Sequence, residues 1–517
     1  MEPHIQALQD PGCYPHPAAD VQLLETHISW VLLAGEYAYK IKKPLNLGFL
    51  DFSTLKKRRH YCEEELRLNR RLAPALYLDV QGIGGSPDRP RFTDPNSPDV
   101  FEYAVRMRRF PQHARLDCQL DAGRLTSRDM DEVAQRIAEF HRCAPHAGAD
   151  SRYGEPDTVQ APVRENFAQI HPLLSRETDR RALTKLADHA EHRFQALRPL
   201  LDQRKARGAI RECHGDLHLA NLARLATGIT AFDCIEFDPA LRWIDVMSEA
   251  AFLVMDLQHR GRPELAYRFL NAYLQHTGDY QGVAVLPYYL AYRAMVRAKV
   301  AAIESAQHHE DAPRPEYYAY TELARRLGDP ARGAVILTHG FSGSGKTWLS
   351  QQLVETLPAV RVRSDVERKR LFDLSAEADS GSAVGGGIYS TEASNRTYGR
   401  LAEVARTVAK AGYPVLVDAT FLERDRRRPF LELARELDVA FAIVDCRVPE
   451  PELHRRVAGR TGDASEADLT VLKRQLQNHE PLDAEESALT LRVDTGAPVD
   501  AAELADTLRR RLKLRST

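Results

Sequence analysis

The sequence lacks a long apolar run, and no stretch approaches the roughly 20 consecutive apolar residues that a membrane-spanning helix needs. Its first residues, MEPHIQALQDPGCYPHPAAD, do not show the basic start and apolar segment of a secretory signal. We therefore expect a cytoplasmic protein with no membrane partner.

Cysteine is also scarce, with seven residues in a chain of 517. Their odd number and scattered positions do not fit a zinc ribbon or a disulfide framework, so we expect reduced thiols with packing roles.

Positive and negative charges are nearly balanced in the sequence, which has 71 Lys and Arg and 73 Asp and Glu, for a formal net charge of −2. Bulk charge therefore does not indicate a nucleic acid partner, and a local basic patch stays open as an alternative.

The length of the chain exceeds the size at which a single hydrophobic core stops growing, so we expect at least two domains. Two segments rich in Pro, Gly and charge, AQHHEDAPRPE and GDPARG, flank one short helix-like stretch and indicate a linker. We place the domain boundary near residue 330. The first domain is expected over 1–328 and the second over 334–517.

The two parts differ in their periodicity. The first contains a strand-like stretch, HISWVLLAGEYAYKIKK, then a charged helical run, LKKRRHYCEEELRLNRRLA, and is mostly helical after residue 125. This pattern predicts a small β-rich lobe over about 1–107 and a larger helical lobe over about 108–328. The second part has five short apolar runs between helical segments, AVILTHG, VRVRS, YPVLVDAT, VAFAIVDCRV and LTLRVDT. Such alternation predicts an α/β domain with a doubly wound parallel sheet.

The most specific motif is GFSGSGKT in the second part, which fits G-x-x-x-x-G-K-[ST] and lies between an apolar strand and a helical run. The glycines let backbone N–H groups surround phosphate oxygens, the lysine contacts the β and γ phosphates, and the last hydroxyl can ligate Mg²⁺. The motif predicts a site for ATP and Mg²⁺. Its residues are Gly340, Ser342, Gly343, Ser344, Gly345, Lys346 and Thr347.

Four further residues of the second part are candidates for this site. Asp418 ends the run PVLVDAT, where a carboxylate can hold the metal or its water, although a helix cap is an alternative. Asp365 follows the second strand and can accept a proton from a substrate hydroxyl, with an N-cap as the alternative. Arg456 and Arg460 share a helix face before the polar stretch TGDASEADLTVLKRQL, as in a lid that carries arginines to a phosphoryl group. A solvated helix face is the alternative for these two.

Together these features resemble the small P-loop kinases of the zeta-toxin, gluconate-kinase and polynucleotide-kinase type, over about 334–513. The resemblance implies an ATP-binding domain of the AAA type that transfers phosphoryl groups. It leaves the acceptor open.

The first part contains a second polar motif in the stretch RECHGDLHLANLARL. Asp216 and Asn221 are five residues apart, which is the spacing of the catalytic loop of protein kinases. Asp233 then follows an apolar run in TAFDCIEFDP, at the place of the metal-binding aspartate of those enzymes. A polar surface turn is the alternative interpretation.

The segments HGDLHLANL and FDCIEFDP closely resemble the aminoglycoside-phosphotransferase and choline-kinase-like family. The resemblance implies an α+β protein-kinase-like bilobal fold with a small-molecule hydroxyl acceptor. It implies that Asp216 orients or deprotonates the acceptor and that Asn221 and Asp233 hold Mg²⁺. His214 and His218 are expected to orient the loop by hydrogen bonds.

By the same resemblance, the β-rich lobe binds the nucleotide. Lys40 in YAYKIKK is the candidate for the lysine that contacts the α and β phosphates, and Glu65 is preferred over Glu64 as its partner. Exposed charges on an edge strand and a surface helix are the alternative. The G-x-G-x-x-G loop of protein kinases is absent from ETHISWVLLAGEY, which leaves the detail of phosphate binding open.

We therefore expect a bifunctional ATP-dependent phosphotransferase, in which each domain moves the γ-phosphoryl group of ATP to an acceptor hydroxyl. One alternative is a single active kinase whose other domain senses nucleotide. Another is a nucleic-acid end-processing kinase, suggested by the arginines of ERDRRRPF, which a solvated helix face also explains.

The presence of phosphate-binding motifs in both parts predicts two nucleotide sites per chain. Isothermal titration calorimetry with a non-hydrolysable ATP analogue and Mg²⁺ measures this stoichiometry directly. Lys346→Ala should remove one of the two binding events. A wild-type chain with one event, lost in Lys346→Ala, would contradict a working nucleotide site in the first domain.

Overall fold

A computed structural model describes residues 2–48, 50–308, 313–329, 332–376, 378–382, 386–459 and 465–514. Internal contacts divide the chain into two compact units. The first combines Met1–Pro162 with Leu201–Leu253, and the second combines Val163–Leu200 with Val254–Thr517. The helical segment 254–328 therefore packs in the same unit as the second half of the chain. The domain boundary near residue 330 stays a prediction from composition.

The first unit begins with a six-stranded antiparallel sheet in the order β1-β2-β3-β6-β4-β5. The strand-like stretch identified in the sequence forms β2 and β3, and the Gly- and Pro-rich segment that follows the first long helix forms the β4–β5 hairpin. The strands are Val21–Glu25 (β1), Ser29–Ala34 (β2), Tyr37–Lys42 (β3), Tyr77–Ser86 (β4), Arg89–Thr93 (β5) and Glu102–Arg108 (β6).

Helices dominate the chain from residue 116 to residue 328, as the sequence predicts. Within the described residues up to 328, the α-helices are Pro3–Ala7 (α1), Leu55–Asn69 (α2), Leu116–Asp121 (α3), Ser127–Cys143 (α4), Pro156–Ile170 (α5), Glu177–Ala206 (α6), Val246–His259 (α7), Pro263–Thr277 (α8), Leu286–Gln307 (α9) and Pro315–Gly328 (α10). Helix α2 packs on β4 and β6 of the first sheet. Its Thr54 N-cap accepts a hydrogen bond from the Lys57 backbone, which fixes where the helix starts.

Two small antiparallel sheets hold the polar motifs of the first unit. Strand Ile210–Glu212 (β7) pairs with Trp243–Asp245 (β10), and Leu222–Leu225 (β8) pairs with Gly228–Ala231 (β9). Because β8 and β9 form a tight antiparallel pair, the residue before β8 lies beside the residues after β9. The Phe232 backbone accordingly donates to the Asn221 carbonyl at 3.0 Å.

The second unit contains a five-stranded parallel sheet in the order β12-β13-β11-β14-β15. All five apolar runs recognised in the sequence are strands of this sheet, which confirms the predicted P-loop α/β domain. They are Ala334–His339 (β11), Val360–Arg363 (β12), Pro414–Asp418 (β13), Ala440–Arg447 (β14) and Thr490–Asp494 (β15). The strand after the P-loop motif, β12, lies at one edge.

Helices connect these strands and cover the sheet, because parallel strands require crossover connections. In the described part after residue 332, they are Lys346–Thr356 (α11), Ser364–Arg370 (α12), Thr391–Lys410 (α13), Arg424–Glu436 (α14), Glu450–Ala458 (α15), Leu469–Asn478 (α16), Ala484–Ala488 (α17) and Ala501–Leu512 (α18). The core on one side of the sheet joins Ile336 and Leu416 to Leu349, Leu353 and Leu508.

No described helix combines the length and the apolar character that crossing a bilayer requires. Each of the seven cysteines is a free thiol, in agreement with the expectation from their spacing.

The buried sheet should tolerate truncation poorly. Leu416 in β13 is fully buried, so Leu416→Ala should lower the free energy of unfolding by about 2–5 kcal/mol through lost burial and the cavity left behind. Leu469→Ala removes the same atoms from a side chain that is 44% exposed and should change little. Amide hydrogen exchange of peptides from β11, β13 and β14 measures both effects. Equal protection in the two variants would contradict this packing.

Candidate active sites

The loop that carries Asp216 has a backbone that only glycine permits at one position. Gly215 has φ +90°, and a Cβ atom there would lie 2.8 Å from the Leu241 carbonyl oxygen. The preceding His214 is buried, which lowers its pKa and keeps the ring neutral. Its Nε2 lies 2.9 Å from the Phe232 carbonyl oxygen, and its Nδ1 lies 3.3 Å from the Asp216 backbone nitrogen. A neutral ring satisfies both contacts, donating through Nε2 and accepting at Nδ1.

A buried carboxylate that the motif analysis missed, Glu249 on α7, anchors the same loop. It accepts hydrogen bonds from the backbone nitrogens of His214 at 3.1 Å and Gly215 at 2.7 Å. The Nε2 atom of His141 lies 2.9 Å from the same carboxylate. Burial alone would raise the pKa of Glu249, but these partners outweigh it and lower the pKa to about 2. The backbone of the loop is therefore held in place by hydrogen bonds to a buried carboxylate.

Asp216 and Asn221 are in direct contact. The Asn221 amide nitrogen donates to Asp216 Oδ2 at 2.8 Å and to the Asp216 carbonyl at 3.0 Å. The His218 Nε2 atom lies 3.3 Å from the same carboxylate oxygen. The Asp216 side chain stays 35% exposed, so it is open to a substrate. Because the Asn221 nitrogen is used within the loop, its amide oxygen remains as a ligand atom.

Asp233 has a left-handed backbone, with φ +66°, which aspartate tolerates better than most residues. Its backbone nitrogen donates to the Tyr77 hydroxyl oxygen at 3.1 Å. Its carboxylate is 47% exposed and forms an ion pair with Lys40 Nζ at 2.5 Å. The structure thus brings two residues together that are far apart in the sequence and that were both predicted to face the nucleotide.

Lys40 also contacts Glu65, with Nζ 2.9 Å from Oε1. The alternative carboxylate, Glu64, instead forms ion pairs with Arg67 at 2.9 Å and Arg242 at 3.4 Å. Of the two candidate partners for Lys40, the structure therefore places Glu65 against it.

A second lysine, which the motif analysis did not identify, shares Glu65. Lys42 is fully buried and lies 2.7 Å from Glu65 Oε2, and it also pairs with buried Glu236. Burial would raise the pKa of Glu65, but the two lysines dominate and lower it to about 2. The sequence could have indicated this second lysine, because side chains two residues apart in a strand, such as Lys40 and Lys42 in β3, lie on the same face.

The donor set of this site fits Mg²⁺. The exposed carboxylate of Asp233 and the amide oxygen of Asn221 are hard oxygen ligands of the kind that Mg²⁺ prefers. These two residues would hold the ion, together with phosphate oxygens of the nucleotide.

In the second unit, three glycines shape the P-loop. Gly340, Gly343 and Gly345 have φ values of +136°, +83° and +83°. A Cβ atom on Gly340 would lie 2.5 Å from the Cys446 carbonyl oxygen, so the loop closes against β14 only with glycine there. Helix α11 begins at Lys346, which places its N-terminal N–H groups toward the loop.

A cavity of about 1220 Å³ is lined by Ser342, Gly343, Gly345, Lys346 and Thr347 of the P-loop, but not by the predicted site residues Gly340 and Ser344. The Lys346 ammonium donates to the Phe341 carbonyl at 2.7 Å, and Ser342 N donates to Gln475 of α16 at 2.9 Å. The Ser344 carbonyl accepts from the Thr495 hydroxyl at 2.6 Å. The loop is therefore held in shape by its own domain.

Asp418 and Thr347 both line this cavity. Asp418 is the last residue of β13 and is buried, and its Oδ2 accepts a hydrogen bond from Ser350 at 3.0 Å. A threonine hydroxyl and a carboxylate are oxygen donors that suit Mg²⁺. These two residues would hold the ion at the P-loop site.

The cavity also includes Asp365 and Arg456. Helix α12 begins at Ser364, after an Arg363 N-cap without a side-chain cap bond, so Asp365 is not the N-cap residue. Arg456 donates to the Thr495 carbonyl at 2.9 Å, beside the P-loop. Arg460 lies outside the described residues.

Arg368, which the motif analysis did not identify, lines the same cavity one helical turn after Asp365. It is 8% exposed, and its guanidinium stacks over the Tyr389 ring at 5.1 Å. It donates to the Ile388 carbonyl at 2.9 Å and to Ser394 at 3.2 Å. The sequence could have indicated Arg368, because it is three residues after Asp365 and residues at this spacing lie on the same face of a helix.

Family models match both halves of the chain. Residues 57–286 match the phosphotransferase enzyme family, and residues 335–482 match the AAA domain. The chain combines two kinase-like domains. The first domain has the kinase-like fold of the phosphotransferase enzyme family, and the second is a P-loop α/β domain.

Curated relatives extend over nearly the whole chain. An uncharacterized protein of Mycobacterium tuberculosis (strain ATCC 25618 / H37Rv) is 29% identical over 466 residues, which cover 89% of this chain and 91% of that protein. An uncharacterized protein of Mycobacterium bovis gives the same values.

Two solved structures are similar to parts of the chain. A choline/ethanolamine kinase family protein from Mesorhizobium loti is 12% identical with a TM-score of 0.39, over 63% of this chain and 92% of that one. The APS kinase of Mycobacterium tuberculosis, in complex with AMPPNP and APS, is 21% identical with a TM-score of 0.26, over 36% of this chain and 99% of that one.

The low pKa of Glu249 predicts a defined acid sensitivity. A carboxylate with a folded pKa of about 2 and an ordinary value of 4.5 stabilises the fold fully above about pH 4.5. This contribution is lost as the pH falls toward 2. The melting temperature of Glu249→Gln should therefore lie well below that of the wild type at pH 7, and the difference should shrink on acidification.

The control is Glu63→Gln, which changes a carboxylate that is 52% exposed on α2 and should have little effect. Thermal unfolding from pH 7 to pH 3 measures all three proteins. A difference between wild type and Glu249→Gln that grows toward low pH would contradict the assignment of Glu249 as a buried anion.

Proposed function

We propose that this chain is a bifunctional phosphotransferase, in which each domain uses Mg²⁺ and ATP to phosphorylate a hydroxyl group of a small molecule. The observation that carries the proposal is that residues distant in sequence meet in the arrangement that phosphoryl transfer needs. Ion pairs join Lys40 to Glu65 and to Asp233, and the Asn221 side chain donates a hydrogen bond to Asp216. The seven free thiols support the expected cytoplasmic setting.

At the first site, Lys40 binds the phosphates of ATP, and Glu65 holds the lysine in place. Asp216 orients the acceptor hydroxyl and takes its proton as the hydroxyl oxygen bonds to the γ-phosphorus. The bond from that phosphorus to the bridging oxygen breaks, and ADP leaves. Mg²⁺, when bound by Asn221 and Asp233, neutralises charge on the phosphates.

At the second site, the P-loop N–H groups and Lys346 bind the phosphates. Asp365 accepts the proton of the acceptor hydroxyl, and Arg456 contacts the transferring phosphoryl group. Arg368 lies on the acceptor side with Asp365, because the two line the same cavity one turn apart on α12. Arg460, which the sequence predicts to share a helix face with Arg456, is expected to assist it.

The nucleic-acid end-processing alternative has less support. Of the four arginines of ERDRRRPF, Arg427 is buried against Glu486 at 2.7 Å, Arg428 pairs with Glu432 at 2.8 Å and Arg424 pairs with Asp483 at 2.9 Å. Arg426 pairs with Glu423 at 3.5 Å and lines the P-loop cavity. Each of the four thus has an acidic partner within its own domain, as on an ordinary helix surface.

The nucleotide-sensor alternative and the bifunctional proposal differ in the number of products. Asp216→Ala should reduce transfer at the first site by roughly 10²–10⁴, with little change in ATP binding there, because the aspartate acts on the acceptor. Lys346→Ala should lower both nucleotide affinity and rate at the second site, because the lysine contacts the phosphates throughout. Labelled ATP and a metabolite extract, resolved by mass spectrometry, identify the products.

Two exposed residues provide matched controls, Asp150→Ala for the aspartate and Lys410→Ala for the lysine. Each active-site variant should abolish one product and spare the other. If Lys346→Ala instead changes only the rate of a single product made at Asp216, the second domain is a sensor. Full transfer in the double variant Asp216→Ala, Lys346→Ala would overturn the proposal.

A further inference from the structure

The edge strand of the P-loop domain is completed by a helix that precedes the domain in sequence. Strand β12 has one neighbour in the sheet, β13, so its other side would leave backbone groups without partners. Asn271 of α8 covers this side. Its amide nitrogen donates to the Ala359 carbonyl at 2.9 Å, and its amide oxygen accepts from the Arg361 backbone at 2.6 Å.

Other contacts show that α8 is docked on the P-loop domain over more than one residue. The Tyr280 hydroxyl, in the turn after α8, lies 3.4 Å from the Arg361 carbonyl oxygen. Arg268 of α8 forms an ion pair with Glu355 of α11 at 2.6 Å. Asn271 is 3% exposed, so its two hydrogen bonds are shielded from water.

The side chain of Arg361 continues this contact into the domain. Its Nη1 donates to the Ser350 hydroxyl oxygen at 3.2 Å, and its Nη2 donates to Gln351 at 2.7 Å. Ser350 in turn donates to Asp418 Oδ2 at 3.0 Å. Burial lowers the pKa of Arg361 to about 10, which still leaves the guanidinium charged at neutral pH.

Arg361 thus links α8 to the carboxylate that would hold Mg²⁺. Its backbone nitrogen donates to Asn271, and its guanidinium donates to Ser350, which donates to Asp418. Residues that orient a metal ligand by hydrogen bonds commonly change metal affinity when they are substituted.

We propose that Arg361 is a positioning residue for Mg²⁺ at the P-loop site, and that Asn271 on α8 holds Arg361 in place. The inference rests on the proposed function of the P-loop domain. By this proposal, helix α8, which precedes the P-loop domain in the sequence, helps to position the metal ligands of that domain. Arg361 reaches the metal ligands through the Ser350 hydroxyl and through the Thr347 carbonyl, to which Nη1 donates at 3.5 Å, and it does not line the cavity itself.

The test measures the Mg²⁺ enhancement, defined as the ratio of the affinities for a non-hydrolysable ATP analogue with and without Mg²⁺. Titration calorimetry on the full chain provides it, and the P-loop site is the binding event that Lys346→Ala removes. Arg361→Met should reduce the enhancement by roughly 10–100-fold while the Mg²⁺-free affinity stays within about twofold. Arg361→Lys should restore part of the enhancement, since it keeps a buried cation and a donor.

Two further variants keep the test decisive if Arg361→Met does not fold. Ser350→Ala removes the link to Asp418 without removing the buried charge, and Asn271→Ala removes the link to α8. Ser350→Ala should reduce the enhancement by a factor similar to that of Arg361→Met, because Ser350 itself contacts Asp418, and Asn271→Ala should reduce it by a smaller factor. Arg370→Gln is the matched control, because it removes a different hydrogen bond to α8, the one to the Gln275 carbonyl, and it should leave the enhancement unchanged.

Unchanged enhancement in the folded variants would overturn the inference. So would an equal loss of affinity with and without Mg²⁺, which is the result of a purely structural role. A chain that binds nucleotide with the expected Mg²⁺ enhancement but transfers no phosphoryl group at this site would contradict the proposed function alone. A chain that transfers normally while Arg361→Met keeps its enhancement would contradict the inference alone.

Discussion

The cost of removing charge from water is the constraint on which the first site depends. A buried ion persists in a fold when other charges or hydrogen-bonding groups replace its hydration. Glu249 meets this requirement with two backbone N–H groups and His141, and in doing so it fixes the loop of Asp216. Glu65 meets it with two lysines. In each case the partners that stabilise the ion also determine where a functional group lies.

The two lysines of β3, Lys40 and Lys42, differ in their burial and in their partners. Lys42 is fully buried between Glu65 and Glu236, so it keeps Glu65 charged and in place. Lys40 lies at the more exposed end of the cluster and shares its charge with Asp233, which faces solvent. In the proposed function, Lys40 can turn toward a phosphate while Glu65 keeps its ion pair with Lys42 and the exposed Asp233 carboxylate stays hydrated.

Local pattern in the sequence was sufficient for much of this architecture. The parallel sheet follows from five apolar runs, the P-loop from its glycines, and the Asp216 loop from the spacing to Asn221, because each depends on neighbours in the chain. Glu249, Glu236 and Asn271 carry no such local signal. Their partners are distant in sequence, and only the folded backbone brings them within hydrogen-bonding distance. The composition of the linker likewise indicates a boundary but contains no information about the docking of α8.

The side-chain pairing of β12 by Asn271 has a consequence for how the chain is made. Synthesis proceeds from the N-terminus, so α8 leaves the ribosome before β12 does. The amide that completes the strand is therefore already present when the strand emerges. A copy of the second half made without α8 would expose an open strand edge, which is a template for association with other chains. Helix α8, which belongs to the same compact unit as the sheet, therefore supplies the cover for β12 from an earlier part of the chain.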